Sequence, residues 1–383
     1  MLRILTAGES HGPACIAIIE GMPAGVAVRI EDIDYDLKRR RTDFGRGGRG
    51  LIEEDKAEIL SGIRYGRTLG SPITLMVRNF DFANWSGEMR IEASTEPEAA
   101  RVTRPRPGHA DLAGVLKYGH DDIRNVSERA SARETVNRVM AGAVIRQLLL
   151  AFDIRIASHT VQIGKIKLSP RPYDFDEVAS VFEKDPEIRC IDPEISQQMK
   201  AAITGAREKK DTLGGVIEVI ATGLPVGLGS VMHYDRRLDG RIAQVLMSIP
   251  SVKAVEIGNA ITGAAQSGAE FHDAIVYQKP RFVRQTNNMG GIEGGMSNGE
   301  DIVCRAYLKP IATLVLPAKT VDIRTHRPTR AAVERSDICV VPRAGVIAEA
   351  MLAAVLGQAL TEKFGGDHID EMKRNFESFA KSR

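Results

Sequence analysis

The sequence predicts one α+β domain spanning residues 1–383, on three observations. Strand-like alternation and helix-like 3.6-residue periodicity both occur along the chain. They follow one another irregularly, without the strand–helix rhythm of a doubly wound sheet. Neither an internal repeat nor a low-complexity linker interrupts them, so the chain reads as one unit despite its length.

Ile16–Ile19 and Val26–Ile30 read as strands flanking the turn Gly21-Met22-Pro23-Ala24-Gly25. Ile30, Ile33 and Leu37 then recur at helical spacing, placing Arg39, Arg40 and Arg41 at a helix C-terminus, where cations suit the dipole. From Arg39 to Leu51 the chain is rich in glycine and arginine and reads as a loop. Ile73–Val77 reads as a strand, and Asn79–His120 as polar turns punctuated by Pro105, Pro107 and Gly108. The clearest helix runs from Ser131 to Leu150. Ser131 and Glu134 form a capping-box pattern, and Val136, Met140, Ala143, Val144 and Leu148 supply its apolar stripe. Val216–Ala221 and Ile302–Leu308 read as strands, Leu238–Ile249 as a helix stopped by Pro250, and Gly290–Gly299 as a glycine-rich loop. A last long helix follows Pro342.

Charge and cysteine usage narrow the function. Lys and Arg (52) nearly balance Asp and Glu (50), a formal charge of +2 that argues against a broad nucleic-acid-binding face. The arginines are clustered, however: 39–41 with 46 and 49; 101, 104 and 106; 124, 129 and 133; 324, 327, 330 and 335. That distribution points to a focused anion site. Cys15, Cys190, Cys304 and Cys339 lie far apart with no Cys-x-x-Cys spacing, which argues against a zinc site or disulfide framework and fits a reducing compartment. The N-terminal apolar run is too short for a signal peptide. Ala344–Leu360, interrupted by Glu349, falls short of a membrane span and reads as a buried helix. The expected location is the cytoplasm, with neither membrane nor nucleic acid as a partner.

Several motifs could carry chemistry, each with a structural alternative. Gly45-x-Gly47-x-x-Gly50 satisfies a dinucleotide pattern but follows basic helix text rather than a strand. It is either a loop closing over an anion through Arg46 and Arg49 or a solvated basic loop. The glycines at 290, 291, 294, 295 and 299 lack the Gly-Lys-Ser/Thr of a P-loop. They either let backbone amides approach a ligand, with Lys309 as a nearby cation, or make tight turns. Arg129, Ser131 and Arg133 open a helix, where amides, dipole and guanidinium groups converge on a phosphate or simply cap the helix. His11 in Gly-Glu-Ser-His-Gly and His109 in Arg-Pro-Gly-His-Ala-Asp sit in glycine-flanked turns, which suits proton transfer better than packing. Neither has metal-ligand spacing. Glu334-Arg335-Ser336-Asp337 holds either a surface ion pair or a carboxylate kept ionised by cations.

Taken in order, these segments resemble the chorismate synthase family. The resemblance rests on Gly8–Gly12, Arg106–Asp111, Glu128–Thr135 (Glu-Arg-Ala-Ser-Ala-Arg-Glu-Thr), Asn287–Gly299, Leu308–Thr313 and Glu334–Asp337. It spans nearly the whole chain, and several ordered motifs are far more specific than any one. It implies a β-α-β sandwich, with helices between antiparallel sheets, assembled as a homotetramer. It also implies conversion of 5-enolpyruvylshikimate-3-phosphate to chorismate and phosphate by an anti-1,4-elimination that requires reduced FMN, with NADPH as a candidate reductant.

By position, His11 resembles the family histidine near the leaving phosphate and His109 the one managing flavin protonation, with Ser10 and Ser131 supporting them. Asp337 matches the carboxylate beside the flavin. Arg40 and Arg46 match positions linked to NADPH. FMN contacts would fall on Arg129, Ala130, Ser131, Gly294, Arg335 and Lys309, Pro310, Ile311, Ala312 and Thr313, together with Pro250 and Ser251. Arg49, Arg106 and Arg133 are the expected holders of substrate anions. Two departures stand out: Ser248-Ile249-Pro250-Ser251 replaces the frequent Ser-Ile-Asn-Ala, and Ala130 replaces a common serine, losing a hydroxyl but keeping its backbone. A flavin or nicotinamide oxidoreductase is the alternative enzyme class. An RNA-binding module is disfavoured by 5% aromatics and a single Trp.

Overall fold

A computed structural model of the chain describes residues 2–46, 55–93, 101–279, 281–334 and 337–381. Two antiparallel sheets flank a layer of helices. The first sheet holds β1 (Arg3–Ala7), β2 (Ala14–Glu20), β3 (Glu58–Ser61) and β4 (Ile73–Arg78) in the order β1-β2-β4-β3. Period-two alternation sets its facing: Cys15, Ala17 and Ile19 of β2 and Ile73, Leu75 and Val77 of β4 are buried, and their neighbours turn outward. The second sheet holds β5 (Arg155–Ile163), β6 (Ile166–Lys167), β7 (Gly215–Thr222), β8 (Val252–Ile257) and β9 (Ile302–Leu308) in the order β8-β9-β7-β5-β6. Its middle strand β7 is buried on both faces and reads as an apolar run interrupted by Glu218.

Between the sheets lie α1 (Ile30–Arg41), α4 (Thr135–Leu150), α6 (Leu238–Met247) and α7 (Val341–Phe364). Outside this layer are α2 (Asp111–Tyr118), α3 (Arg124–Ala130), α5 (Pro193–Glu208) and α8 (Ile369–Lys381). Helix α4 packs on β1, β2 and β4 of the first sheet, α7 packs on β5 and β7 of the second, and the two helices pack on each other. Their seam is glycine-lubricated. A side chain at Gly142 of α4 would collide with Ala350 of α7, and one at Gly357 of α7 would collide with Ile145 of α4. Helix α7 has the length and apolarity of a membrane span, but 78% of that stretch is buried inside the fold. It is apolar all round because it has protein on every side. The buried helix expected at Ala344–Leu360 lies within it. Pro342 occupies its first turn, where no amide partner is lost.

One buried charge network crosses the helix layer. The fully buried Glu349 of α7 accepts from both terminal nitrogens of Arg39 (2.7 and 2.7 Å), from Arg146 (3.1 Å) and from Ser158 of β5 (2.6 Å). Asp36 bonds the same two arginines. Burial alone would raise the Glu349 pKa, but the Arg39 charge outweighs it and holds the group down at about 2.

The structure corrects some sequence expectations. Val26–Ile30 is no strand: Val26 and Gly25 donate to Thr68, Val28 donates to Gly66, and the helix begins at Ile30. Gly290–Gly299 contains a short hairpin, Ile292–Glu293 with Met296–Ser297. Asn79–His120 includes a 3-10 turn at Phe80–Asn84 and helix α2 as well as turns.

Candidate active site

The site is built outward from the junction of α3 and α4, where Ser131 breaks what periodicity reads as one helix. Ser131 is extended (φ −65°, ψ 145°), a 3-10 turn covers Ala132–Glu134, and α4 starts at Thr135. The Ser131 hydroxyl accepts from the Arg133 amide (3.3 Å), an ordinary N-cap. The expected capping box does not close. Glu134 instead pairs with Arg138 one turn on (2.6 Å), the favoured spacing for a helical ion pair. Arg138 also donates to the carbonyl (3.2 Å) and hydroxyl (2.8 Å) of Ser248, tying the junction to the end of α6.

This junction holds the β1–β2 turn. The Ser131 and Ser10 hydroxyls are 3.1 Å apart, and the buried Ser10 donates its amide to the Glu128 carbonyl (3.0 Å). His11 is fixed by the Glu128 side chain. Its Nδ1 lies 2.8 and 3.0 Å from the two carboxylate oxygens, and its backbone amide donates to one of them (2.8 Å). With Nδ1–H committed to Glu128, Nε2 is the nitrogen left to handle a proton. Burial alone would raise the Glu128 pKa, but the His11 bonds outweigh it and hold the carboxyl below its ordinary value.

His109 is tethered the same way by a different element. His109 donates its amide to the Arg106 carbonyl (3.2 Å), closing an Arg-Pro-Gly-His turn whose third residue, Gly108, sits at φ +80°. Nδ1 of His109 lies 2.5 Å from Asp111 Oδ1. Arg106 grips the same carboxylate with Nε (2.8 Å) and Nη2 (3.0 Å). Burial would raise the Asp111 pKa, yet hydrogen bonds from His109 and Arg106 drive it far below the usual carboxylate range. A carboxylate so strongly ionised fixes the Nδ1–H tautomer, again leaving Nε2. Arg106 reaches on to Glu334 (2.9 Å) and Thr313 (3.4 Å).

The second sheet enters through the exit of β9. Lys309, Pro310, Ile311, Ala312 and Thr313 pass beneath the His109 turn: a Cβ at Gly108 would lie 3.8 Å from Lys309 Nζ and 3.7 Å from Ala312 Cβ. The Lys309 amide donates to the carbonyl of Ser251 (2.9 Å), a non-glycine residue held at φ +75° after Pro250. Thr212 bonds the Ile311 carbonyl (2.9 Å), and its neighbour Leu213 bonds the Ile338 carbonyl, bringing in the Asp337 segment. Arg343 holds Asp337 (2.7 Å), and Ile338 donates to Gly45 beside Arg46. The His109 turn, Lys309–Thr313, Ser251 and Asp337 are therefore linked by contact, and Arg138 joins the His11 side to Ser248.

Other predicted residues are placed differently. Arg129 reaches back from α3 to the Gly8 carbonyl (3.2 Å) and to the Thr6 carbonyl (3.1 Å) and hydroxyl (2.7 Å), beside Ala130. Arg133 and Arg40 are buried and share Asp55 (2.7 and 3.5 Å), whose pKa they lower against the upward push of burial. Arg46 donates to the Arg41 carbonyl (2.7 Å) at the end of α1. Gly294 sits at the hairpin turn beside the start of α6, where the Gly295 carbonyl accepts from Leu238. The ten residues of α6 separate it from Ser248 by about 15 Å at 1.5 Å per residue. Arg49 and Arg335 lie outside the described residues, as do Gly47 and Gly50.

Sequence reading overlooked Glu128, Asp111, Asn79, Trp85 and Lys253. Asp111 carried a signal, two residues after His109 in one turn; Glu128 is 117 residues from His11 and carried none.

An anionic cofactor fits this arrangement. Lys309 and Lys253 stand close enough to influence each other, and among the described residues neither has a carboxylate partner. Burial and the Lys253 charge together depress the Lys309 pKa. Two unneutralised ammonium groups beside the β9 exit suit a phosphate. A cavity of about 2740 Å³ lies elsewhere, over the outer face of the second sheet. Part of its charged lining is paired, with Glu218 bonded to Arg305 (2.6 Å) and to His159 (3.0 Å).

Comparison with known proteins gives the family. The family model described as chorismate synthase matches residues 2–361. The chorismate synthase of Geobacter sulfurreducens is 50% identical, covering 99% of this chain and 98% of that protein. Those of Symbiobacterium thermophilum and Bacillus pumilus are 51% and 48% identical, with coverage of 98% or more on both sides. A solved structure titled "Crystal Structure of Chorismate Synthase" superposes with a TM-score of 0.80 at 40% identity, covering 100% of this chain and 98% of its own. The chain belongs to the chorismate synthase family.

Proposed function

We propose that this chain is a shikimate-pathway lyase that eliminates phosphate from 5-enolpyruvylshikimate-3-phosphate to give chorismate, the precursor of aromatic amino acids. The observation that carries the reading at this site is the pair of histidines, each with Nδ1 tied to a carboxylate and Nε2 left for a proton. In the elimination, the C–O bond to phosphate breaks with its electron pair on the departing oxygen. A hydrogen leaves from the opposite face of the ring, and a new double bond forms. His11 protonates the departing phosphate, and Arg49, Arg106 and Arg133 hold the substrate anions. Cations near the leaving group favour the charge that grows there.

FMN would be held by Arg129, Ala130, Ser131, Pro250, Ser251, Gly294, Arg335 and the run Lys309, Pro310, Ile311, Ala312 and Thr313. Held there in its reduced form, the flavin would supply electron density for C–O cleavage without net redox change. His109 manages protons on the flavin side, with Asp337 nearby and Ser10 and Ser131 supporting the histidines. Arg40 and Arg46 are the proposed NADPH contacts, and the proposed assembly and location are a cytoplasmic homotetramer.

The test is an anaerobic assay with FMN and NADPH, repeated with chemically reduced FMN. Chorismate formation in the second assay supports the reading, and formation in the first would add an intrinsic NADPH-dependent flavin reduction. No chorismate from either, with NADPH consumed, would point to an oxidoreductase.

A further inference from the structure

We infer that Glu128 and Trp85 are positioning residues that fix the His11 ring, with Nδ1–H on the carboxylate and Nε2 left to the leaving phosphate. This rests on the proposed role of His11 and adds the device that orients it. The Glu128 carboxylate takes Nδ1 with both oxygens and the His11 amide with one, so ring and backbone are gripped by a single group. The His11 and Trp85 rings stack at 3.9 Å between centroids with 30° between planes, and Arg124 lies 5.2 Å from the Trp85 ring centroid. The indole face packs on the imidazole and tolerates positive charge, so the stack suits a proton donor.

The placement of Trp85 is itself built. Asn79 caps the 3-10 turn that ends at Trp85, and its side-chain amide donates to the Ser10 (3.0 Å) and Gly12 (2.9 Å) carbonyls on either side of His11. Asp81 accepts from the Trp85 indole (3.1 Å), fixing the ring's rotation. The charged groups around His11 are Glu128, Glu9 beside Gly12, Asp81, Arg124 (3.7 Å from Glu128) and Arg129 on the Gly8 carbonyl. Of these, Glu128 bonds the ring directly.

The step balances. As the C–O bond breaks, the phosphate oxygen keeps the electron pair and takes the proton from Nε2. His11 becomes neutral imidazole, still donating Nδ1–H to Glu128, and water returns the proton afterwards.

The test measures single-turnover phosphate release against pH, with reduced FMN, in wild type, Glu128→Gln, Glu128→Asp, Trp85→Phe and His11→Ala, alongside histidine ring ¹⁵N shifts in the flavin-free protein. An acid loses activity as pH rises, so removing the Glu128 charge is expected to move the alkaline limb of the rate profile to lower pH. Glu128→Gln is expected to lower kcat about tenfold or more with KM within about twofold, the size of a general-acid effect. Glu128→Asp keeps the charge and restores the limb, and Trp85→Phe moves it down by less. An unmoved limb and His11 titration in Glu128→Gln, beside an inactive His11→Ala, overturns this inference alone. Normal turnover in His11→Ala removes the role of His11 itself. Should Glu128→Gln not fold, an unshifted His11 titration in Trp85→Phe together with Glu128→Asp overturns the clamp.

Discussion

His11 and His109 come from different parts of the chain and reach the same arrangement: a turn fixes the backbone, a buried carboxylate takes Nδ1, and Nε2 stays free of the chain's described hydrogen bonds. Replacing either with alanine is expected to lower kcat by about 10²–10⁴ at unchanged thermal stability, the usual range for a proton-transfer group; near-normal rates in both would remove them from the mechanism. Lys309→Met is expected to weaken FMN binding about tenfold or more, as lost charge-assisted contacts do. Unchanged affinity in a fluorescence titration would refute the anion site. The residue scale was partly legible. Glycine-flanked histidines and clustered arginines announce a polar, anion-holding turn chemistry. What each side chain touches was not legible, because partners such as Glu128 and Asp55 come from distant segments. Nor was it legible that Arg40 and Arg133 share the buried Asp55.

Among elements, the α4–α7 seam sets how closely the two sheets approach and therefore how β9 delivers Lys309–Thr313 toward the histidine turns. Gly142→Val puts a branched side chain against Ala350, and overpacking of this kind costs about 1–3 kcal/mol. The expected result is a lowered Tm by calorimetry together with weakened flavin binding; an unchanged Tm would mean the seam opens freely. Strands β2, β4 and β9 and helices α1 and α6 were readable because their apolar period survives in the folded burial pattern, and β7, α4 and α7 because they are apolar stretches buried nearly all round. Helix α2 was hidden, since its eight residues are flanked by turn signals and bury few apolar side chains. The break at Ser131 was hidden too, because its capping residues mimic a single continuous start while Glu134 turns to Arg138.

At the scale of the molecule, the sandwich is pinned by charges as well as packing. Glu349, Arg39, Arg146 and Asp36 join α1, α4 and α7 in one buried network. Removing one partner of such a set by Glu349→Gln is expected to cost about 3–5 kcal/mol in urea unfolding, because the arginines stay buried with less compensation. The sign of its pH dependence follows from a depressed carboxyl: the contribution is present above the ordinary glutamate value of about 4.3 and is lost as pH falls toward about 2. Acid unfolding in that window should therefore be blunted in the variant, and an identical acid transition would contradict the network's role. Composition and irregular element order made the α+β class legible; the layering was not, since nothing local says which strands share a sheet. The central claim is that this fold performs a redox-neutral elimination. Its most direct test is an anaerobic reaction started with reduced FMN and 5-enolpyruvylshikimate-3-phosphate, with phosphate, chorismate and flavin absorbance followed together. Phosphate and chorismate are expected in equal amounts with the flavin still reduced at the end; flavin oxidised in proportion to substrate consumed would contradict a redox-neutral elimination.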